Sequence, residues 1–415
     1  MGSRDEQLHV IFLPYMTPGH MMPLVDMARL FAAHGVKVTI ITTPMNAARF
    51  KSAVDRDSLH PTPELTIKLF HAIGLLQPKI EHLLRERRPD CIASDVLFPW
   101  TVDIAAELGI PRLAFSGSGF FNHCLSHRIG CYEPHKNIES ETETFVVPCL
   151  PDPIKLTRSQ LPDIVKTRTE FSELFEKLKE AERKSFGMLM NSFYELEPAY
   201  VDCWRKEIGT RAWLLGPVSL FNRDPDDKAE RGDKASVNEH SCLSWLNSKK
   251  PNSVLYICFG SLTRFSEAQL TEIASALEDS GCFFIWVVGK VLKTTKDDEK
   301  DGPQESIVLE GFEERMEKSG KGLIVRGWAP QVLKIGAAVG NEIWKVWAMQ
   351  ETELISRDKI RKAVNVVMNE GHEGEEMRKK TRQLGELANK AVEEGGSSYN
   401  DLKALIEEIR SYGRS

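Results

Sequence analysis

The stretch His9–Thr42, HVIFLPYMTPGHMMPLVDMARLFAAHGVKVTIIT, decides the fold class. His9–Tyr15 is a short apolar run that ends in the turn TPGH. Met21–His34 then carries apolar residues at helical spacing, Gly35 stops it, and Lys37–Thr42 alternates β-branched residues. Strand, helix and strand in that order predict two parallel strands joined by a crossover helix, the repeating unit of a doubly wound α/β sheet.

Outward from this unit the alternation lapses and then returns. Pro44 and Asn46 predict another helix start, but between Thr43 and Pro89 no run reads as a strand. That region shows only a turn at His60–Pro63 and a long helix from Glu64 to about Arg87, and two helices in succession are unusual in a βαβ array. Strand Cys91–Ser94, helix Phe98–Leu108, strand Arg112–Phe115, helix Glu173–Lys184 and strands Phe186–Asn191 and Ala212–Leu215 resume the pattern. Asn222–Asn238, NRDPDDKAERGDKASVN, is polar, mixed in charge and without apolar period, so it reads as a linker. A second α/β set follows: helix Glu239–Asn247, strand Val254–Phe259, helix Ser266–Glu278 and strands Phe283–Val288 and Gly322–Arg326, with the charged loop Lys290–Gln304 between the last two. Beyond it lie helices Arg357–Met368 and Gly374–Glu394, and a final helix to Arg410 that a capping box of Ser398 and Asp401 would open.

The domains expected are therefore 1–221, a linker at 222–238, a second domain at 239–396, and a C-terminal helix at 397–415 packing back on the first domain. The second sheet has three clear strands and a candidate fourth at Ala337–Val339, which is a reduced sheet. A length of 415 residues agrees with two hydrophobic cores.

Composition narrows the partners. With 41% hydrophobic residues the chain can bury large cores, and a net charge of -6 argues against nucleic acid or an anionic membrane as partner. No apolar run approaches the ~18 residues of a membrane helix. The eight cysteines are scattered without a CxxC pair, and MGSRDEQLHV shows no basic flank before an apolar run. Reduced thiols and a cytoplasmic monomer are expected.

In open parallel sheets ligands bind beyond the carboxyl ends of the strands. His20 follows the first strand there, and its ordinary pKa of ~6.5 suits a general base. Asp95 ends a neighbouring strand and could orient the imidazole and balance its charge. The same residues also fit a turn histidine and a helix-capping aspartate. Gly260-Ser261, between strand and helix, suits an anion, as do many such turns. Trp328 offers a flat face for a base to stack on, or else a core tryptophan at a strand end. His123, Cys124, His127 and Cys131 cluster in sequence, but structural zinc prefers thiolate pairs on turns, and no metal is expected. Gly117-Ser118-Gly119 lacks the third glycine of a dinucleotide fingerprint, since Asn122 stands in its place. No nucleophile elbow, GxxxxGK[ST] or HExxH is present.

Together MTPGHMMPLVDMARLFAAHG, SDVLFPWTVDIAAELGIPRLAF, LMNSFYELEPAYVD, SVLYICFGSLTRFSEAQLTEIASALE and GWAPQ resemble the plant family-1 UDP-dependent glycosyltransferases. The resemblance covers nearly the whole chain and implies two Rossmann-like doubly wound domains facing a cleft. It implies an inverting transfer from a UDP-sugar, a co-substrate and not a bound cofactor, to a hydroxyl of a small lipophilic metabolite of triterpenoid or flavonoid type. His20 would deprotonate the acceptor and Asp95 balance the charge. Gly19 and Ser261 would lie along the donor, with Ser261 at the diphosphate. Trp328 would stack on uracil, Ala329 bond its edge through the backbone, and Gln331 help hold the ribose. Acceptors would lie near Phe120, Phe121 and the Met16–Met21 turn.

The sequence departs from the family where the signature box that opens at Trp328 should continue. Gln331-Val332-Leu333 passes directly into Lys334-Ile335-Gly336, so the part of the box that would bind phosphate, ribose and sugar is missing. The lapse before His60, where the family has a further strand, is the second departure. The alternative implied is a truncated, non-catalytic form that binds metabolites or a partner.

Overall fold

The computed structural model describes residues 7–43, 74–168, 170–221, 239–259, 265–288, 307–326, 354–368 and 371–412. They divide into two compact units, the first ending at 228 and resuming at 384, the second lying between.

The first unit is built on six parallel strands: β1 (His9–Leu13), β2 (Lys37–Ile40), β3 (Cys91–Asp95), β4 (Arg112–Ser116), and, after an antiparallel hairpin of β5 (Thr144–Val146) and β6 (Lys155–Thr157), β7 (Gly187–Met190) and β8 (Ala212–Leu214). Their spatial order is β2-β1-β3-β4-β7-β8. The chain leaves β1 toward β2 on one side and returns to β3 on the other, so the order reverses between β1 and β3. Such a switch point opens a crevice at the carboxyl ends of the two strands. Strands β1, β3 and β4 are buried at every position, because helices cover both faces of a parallel sheet.

Helix α1 (Pro18–Ala33) begins three residues before the expected start. Pro18 stands at the first helical position, where its missing N–H costs nothing, and the Thr17 carbonyl accepts from the His20 and Met21 amides. His20 therefore belongs to the first turn of α1 and not to the turn before it. Helix α2 (Gln77–Arg87) starts after a turn at Leu75–Leu76, with Pro78 in its first turn, so the continuous helix expected from Glu64 is broken there; 64–73 lie outside the described residues. Helix α3 (Thr101–Leu108) starts later than Phe98. Asp95 causes the delay: its Oδ1 accepts the Leu97 amide at 3.0 Å and its carbonyl the Phe98 amide at 3.1 Å, closing a tight turn ahead of the helix. Helices α4 (Phe120–Tyr132), α5 (Glu170–Lys184) and α6 (Pro198–Cys203) complete the connections.

The second unit contains α7 (Glu239–Asn247), β9 (Val254–Cys258), α8 (Glu267–Ser280), β10 (Phe283–Val288), α9 (Ile307–Ser319), β11 (Gly322–Arg326), α10 (Arg357–Met368) and most of α11 (His372–Val392). Its described sheet is parallel, in the order β11-β10-β9. Ser266 caps α8 by accepting the Gln269 amide. Leu270, Ile273 and Leu277 of α8, Phe284 and Trp286 of β10, Phe312 of α9 and Ile360 of α10 form the core. Helix α9 was not expected between the last two strands. Val308, Phe312 and Met316 stand at helical spacing in IVLEGFEERMEKS, but the charged stretch before them obscures that short period; among the residues whose side chains are described, Phe312 and Met316 are buried.

The last helix, α12 (Ser397–Tyr412), packs against the first sheet. Leu402, Leu405, Ile406 and Ile409 share a core cluster with Val10, Phe12, Leu113 and Trp213. The expected capping box is replaced by long-range bonds: Ser398 Oγ donates to the Gly216 carbonyl at 2.6 Å, and Asp401 Oδ2 accepts the Leu214 amide at 2.8 Å. The units divide at 384 and not at 396, because Leu387, Ala388 and Ala391 of α11 pack with Phe193 and Leu220. The linker 222–238 and the candidate strand 337–339 lie outside the described residues. Among those described, no helix is long and apolar enough to cross a membrane.

Candidate active site

The switch point brings His20 and Asp95 together across 75 positions of sequence. His20 Nδ1 lies 2.8 Å from Asp95 Oδ2. Asp95 is fully buried, whereas the His20 side chain is 36% exposed, so the imidazole bridges the interior and the crevice. Among the described residues Nε2 has no hydrogen-bond partner. With Nδ1–H donating to the carboxylate, the lone pair sits on Nε2, the tautomer a base at the crevice needs. Burial pulls the His20 pKa down, but the hydrogen bond and charge of Asp95 outweigh it, and the net shift is upward.

Aromatic rings wall the pair. Tyr15 meets His20 edge-on at 5.7 Å, Phe98 lies 6.0 Å from Tyr15, and Trp100 6.1 Å from Phe98. Burial, with a smaller contribution from Asp95, raises the Tyr15 hydroxyl to about 12, so it remains a neutral phenol. Gly19 stands beside His20 with open space where a Cβ would be. Ser261, Trp328, Ala329 and Gln331 lie outside the described residues, so of the expected site residues the structure juxtaposes His20, Gly19 and Asp95.

One expectation about α4 changes. Phe120 is wholly buried against Trp204 and is not available to a ligand, while Phe121 is 40% exposed and meets Tyr200 edge-on at 5.0 Å. The histidines and cysteines of α4 point to different partners. His123 Nε2 bonds Ser116 Oγ at 2.9 Å and Ser118 Oγ at 3.1 Å, Cys124 faces the Tyr200 carbonyl, and His127 pairs with Cys131 at 3.5 Å. No metal-holding group of three occurs among the described residues.

Sequence reasoning passed over two residues at this end of the sheet. Glu197 accepts the Phe121 amide at 2.8 Å and the Ser192 hydroxyl at 2.7 Å, fixing the start of α4. Arg112 is buried and bonds the Asp95 carbonyl at 3.1 Å. A charge at the first position of the buried strand Arg112–Ser116 was the signal available for it.

No protein-family model matches the chain. Among curated proteins it is 40% identical to UDP-glucose flavonoid 3-O-glucosyltransferase 7 of Fragaria ananassa, over 97% of this chain and 96% of that one. It is 40% identical to the scopoletin glucosyltransferase of Nicotiana tabacum, over 98% of each. Both alignments, 482 and 486 positions, are longer than the 415 residues here, so both relatives carry segments with no counterpart in this chain. Among solved structures, UGT73P12 of Glycyrrhiza uralensis, complexed with glycyrrhetinic acid 3-O-monoglucuronide, matches with a TM-score of 0.87 and 37% identity, over 98% of this chain and 96% of that one.

Proposed function

Since the chain belongs to the plant UDP-dependent glycosyltransferases, a family of sugar-transferring enzymes, we propose that it moves a sugar from a UDP-sugar to a hydroxyl of a small lipophilic metabolite of triterpenoid or flavonoid type. The observation that carries the reading is the 2.8 Å pair of His20 and Asp95 at the sheet's switch point. His20 Nε2 takes the acceptor's hydroxyl proton while the oxygen attacks the anomeric carbon. The bond from that carbon to the diphosphate breaks on the opposite face, UDP leaves with the electron pair, and the configuration inverts. Asp95 holds the imidazole and offsets the charge it gains, as a buried carboxylate does for a histidine base. The part-exposed rings of Trp100 and Phe121 support an apolar acceptor, and cysteines scattered without a CxxC pair support a reducing, cytoplasmic setting.

Ser261, Trp328, Ala329 and Gln331 are assigned the donor, with the diphosphate, uracil and ribose contacts that the resemblance implies. The residues after Gln331 argue for weak donor binding. Three charge-assisted bonds at ~1.5–3 kcal/mol each amount to ~5–9 kcal/mol, a factor of ~10³ or more in affinity. The alignments that exceed the chain in length favour this, and with it a second reading in which the protein only binds the metabolite or a partner. Calorimetry with UDP-glucose, beside a full-length relative, tests donor binding, and equal affinity overturns the crippled site. Turnover that is abolished by His20→Ala overturns the binding-only reading. Turnover indifferent to His20→Ala overturns the assignment of the base.

A further inference from the structure

Arg112 is the first residue of the fully buried strand β4, with 2% of the residue exposed. Nε donates to Ser94 Oγ at 3.0 Å and Thr101 Oγ1 at 3.1 Å, Nη1 to Ser185 Oγ at 2.6 Å, and Nη2 to the Asp95 carbonyl at 3.1 Å. All four acceptors are uncharged, so contact does not cancel the buried positive charge. The carboxylates that act on it through space are Glu182 and Asp95. Glu182 faces Arg112 from α5, with one carboxylate oxygen buried and without a hydrogen bond, and 3.5 Å from His123 Nδ1. Lys179 and Arg183 of α5 also act on Glu182.

A guanidinium bound only to hydroxyls and a carbonyl is a poor way to hold a core together, since its desolvation outweighs such neutral bonds and an apolar residue would pack there more favourably. It is a good way to place a fixed charge beside a buried acid, because low polarity lengthens the reach of that charge. We propose that Arg112 is a positioning residue that sets the proton affinity of His20, anchoring the end of β3 that carries Asp95 and drawing on its carboxylate, with Glu182 as the counterweight. Burial lowers the Arg112 pKa to about 10, still far above neutrality, so the charge is present whenever His20 titrates. Groups acting directly on His20 are Asp95 and the Tyr15 ring. Arg112 acts on His20 through the Asp95 it bonds, and Glu182 acts through Arg112: the cation disfavours the imidazolium, and the carboxylate, raised by burial to about 7 and so charged over the alkaline part of the titration, favours it more weakly.

The inference rests on the reading of His20 as the base, but its test needs no turnover. In the full chain labelled at histidine rings, the His20 titration is followed by NMR. Arg112→Gln is expected to raise the His20 pKa, Arg112→Lys to keep it nearer the parent's, and Glu182→Gln to lower it. Should Arg112→Gln fail to fold, the near-isosteric Glu182→Gln decides: a downward shift supports the proposal and an unmoved titration overturns it. A folded Arg112→Gln protein whose His20 titrates as the parent's does, or shifts of the same sign in both variants, overturns it as well, because general loosening of the site moves both one way. If the titrations shift as expected while turnover ignores His20→Ala, the assignment of the base fails and the role of Arg112 stands.

Discussion

Removing the Asp401 carboxylate tests whether α12 is held by its own cap or by the first sheet. Asp401 Oδ2 accepts the Leu214 amide at 2.8 Å and Arg205 Nη2 at 2.9 Å, with the Asp401 side chain 24% exposed. In Asp401→Ala the Leu214 N–H, on buried β8, loses its acceptor, which costs about 1–3 kcal/mol. The Arg205 pair is partly solvated and adds at most about 1 kcal/mol. The expected loss is therefore about 1–4 kcal/mol from the first unit. Asp401→Asn keeps an oxygen for the Leu214 amide and should cost no more than about 1 kcal/mol, the share of the lost charge. Hydrogen exchange of the peptide spanning 212–215, followed against urea, reads the opening of β8 directly. A local capping role would also destabilise, by about 1 kcal/mol, but would leave Leu214 exchange untouched. Unchanged protection at Leu214 in Asp401→Ala, or an asparagine variant as damaged as the alanine one, refutes the reasoning.

Three further outcomes are expected. Asp95→Asn keeps a hydrogen-bond partner for His20 but leaves burial unopposed, so the His20 pKa falls below the parent's and any turnover drops ~10²–10⁴-fold, measured by NMR titration and product formation. His123, lowered by burial to about 4, costs the folded state stability as pH falls from 6.5 toward 4, because the unfolded chain takes the proton it refuses; Glu182, raised by burial to about 7, costs stability as pH rises from 4.5 toward 7. The two slopes oppose one another between pH 4.5 and 6.5. Relative to the parent, urea unfolding of His123→Gln should weaken with rising pH and that of Glu182→Gln with falling pH, each by up to about 3 kcal/mol, and parallel curves would show that the pair is not linked to folding. Leu405→Ala, at a wholly buried position on α12, should cost about 2–5 kcal/mol by calorimetry, and a loss under about 1 kcal/mol would mean the helix does not complete the core.

His9–Thr42 showed its fold class in sequence because β1, buried on both faces, must be an apolar run, β2 at the sheet edge alternates β-branched residues, and the helix between them must keep one apolar stripe. These are short-range periodicities, readable within a dozen residues. They also placed β10 at 283–288 and β11 at 322–326 correctly. Helix α9 has Val308, Phe312 and Met316 at helical spacing, but the long charged loop before it obscures so short a period, and Ser398 and Asp401 fit a capping pattern for a local bond that the tertiary fold replaces with a longer one. The candidate site divides the same way. That His20 and Asp95 each follow a strand was legible; that they meet depends on β1 and β3 being neighbours, a property of strand order that no local pattern encodes. Arg112 was visible only as a charge at the start of a strand until the fold set its guanidinium against the Asp95 carbonyl, within reach of the Glu182 charge. Sequence by itself determined the kind of chain and the identity of its reactive groups, since both follow from residue type and short spacing. Tertiary structure alone decided which groups share a low-polarity interior, and there distance and burial, not order along the chain, set the chemistry.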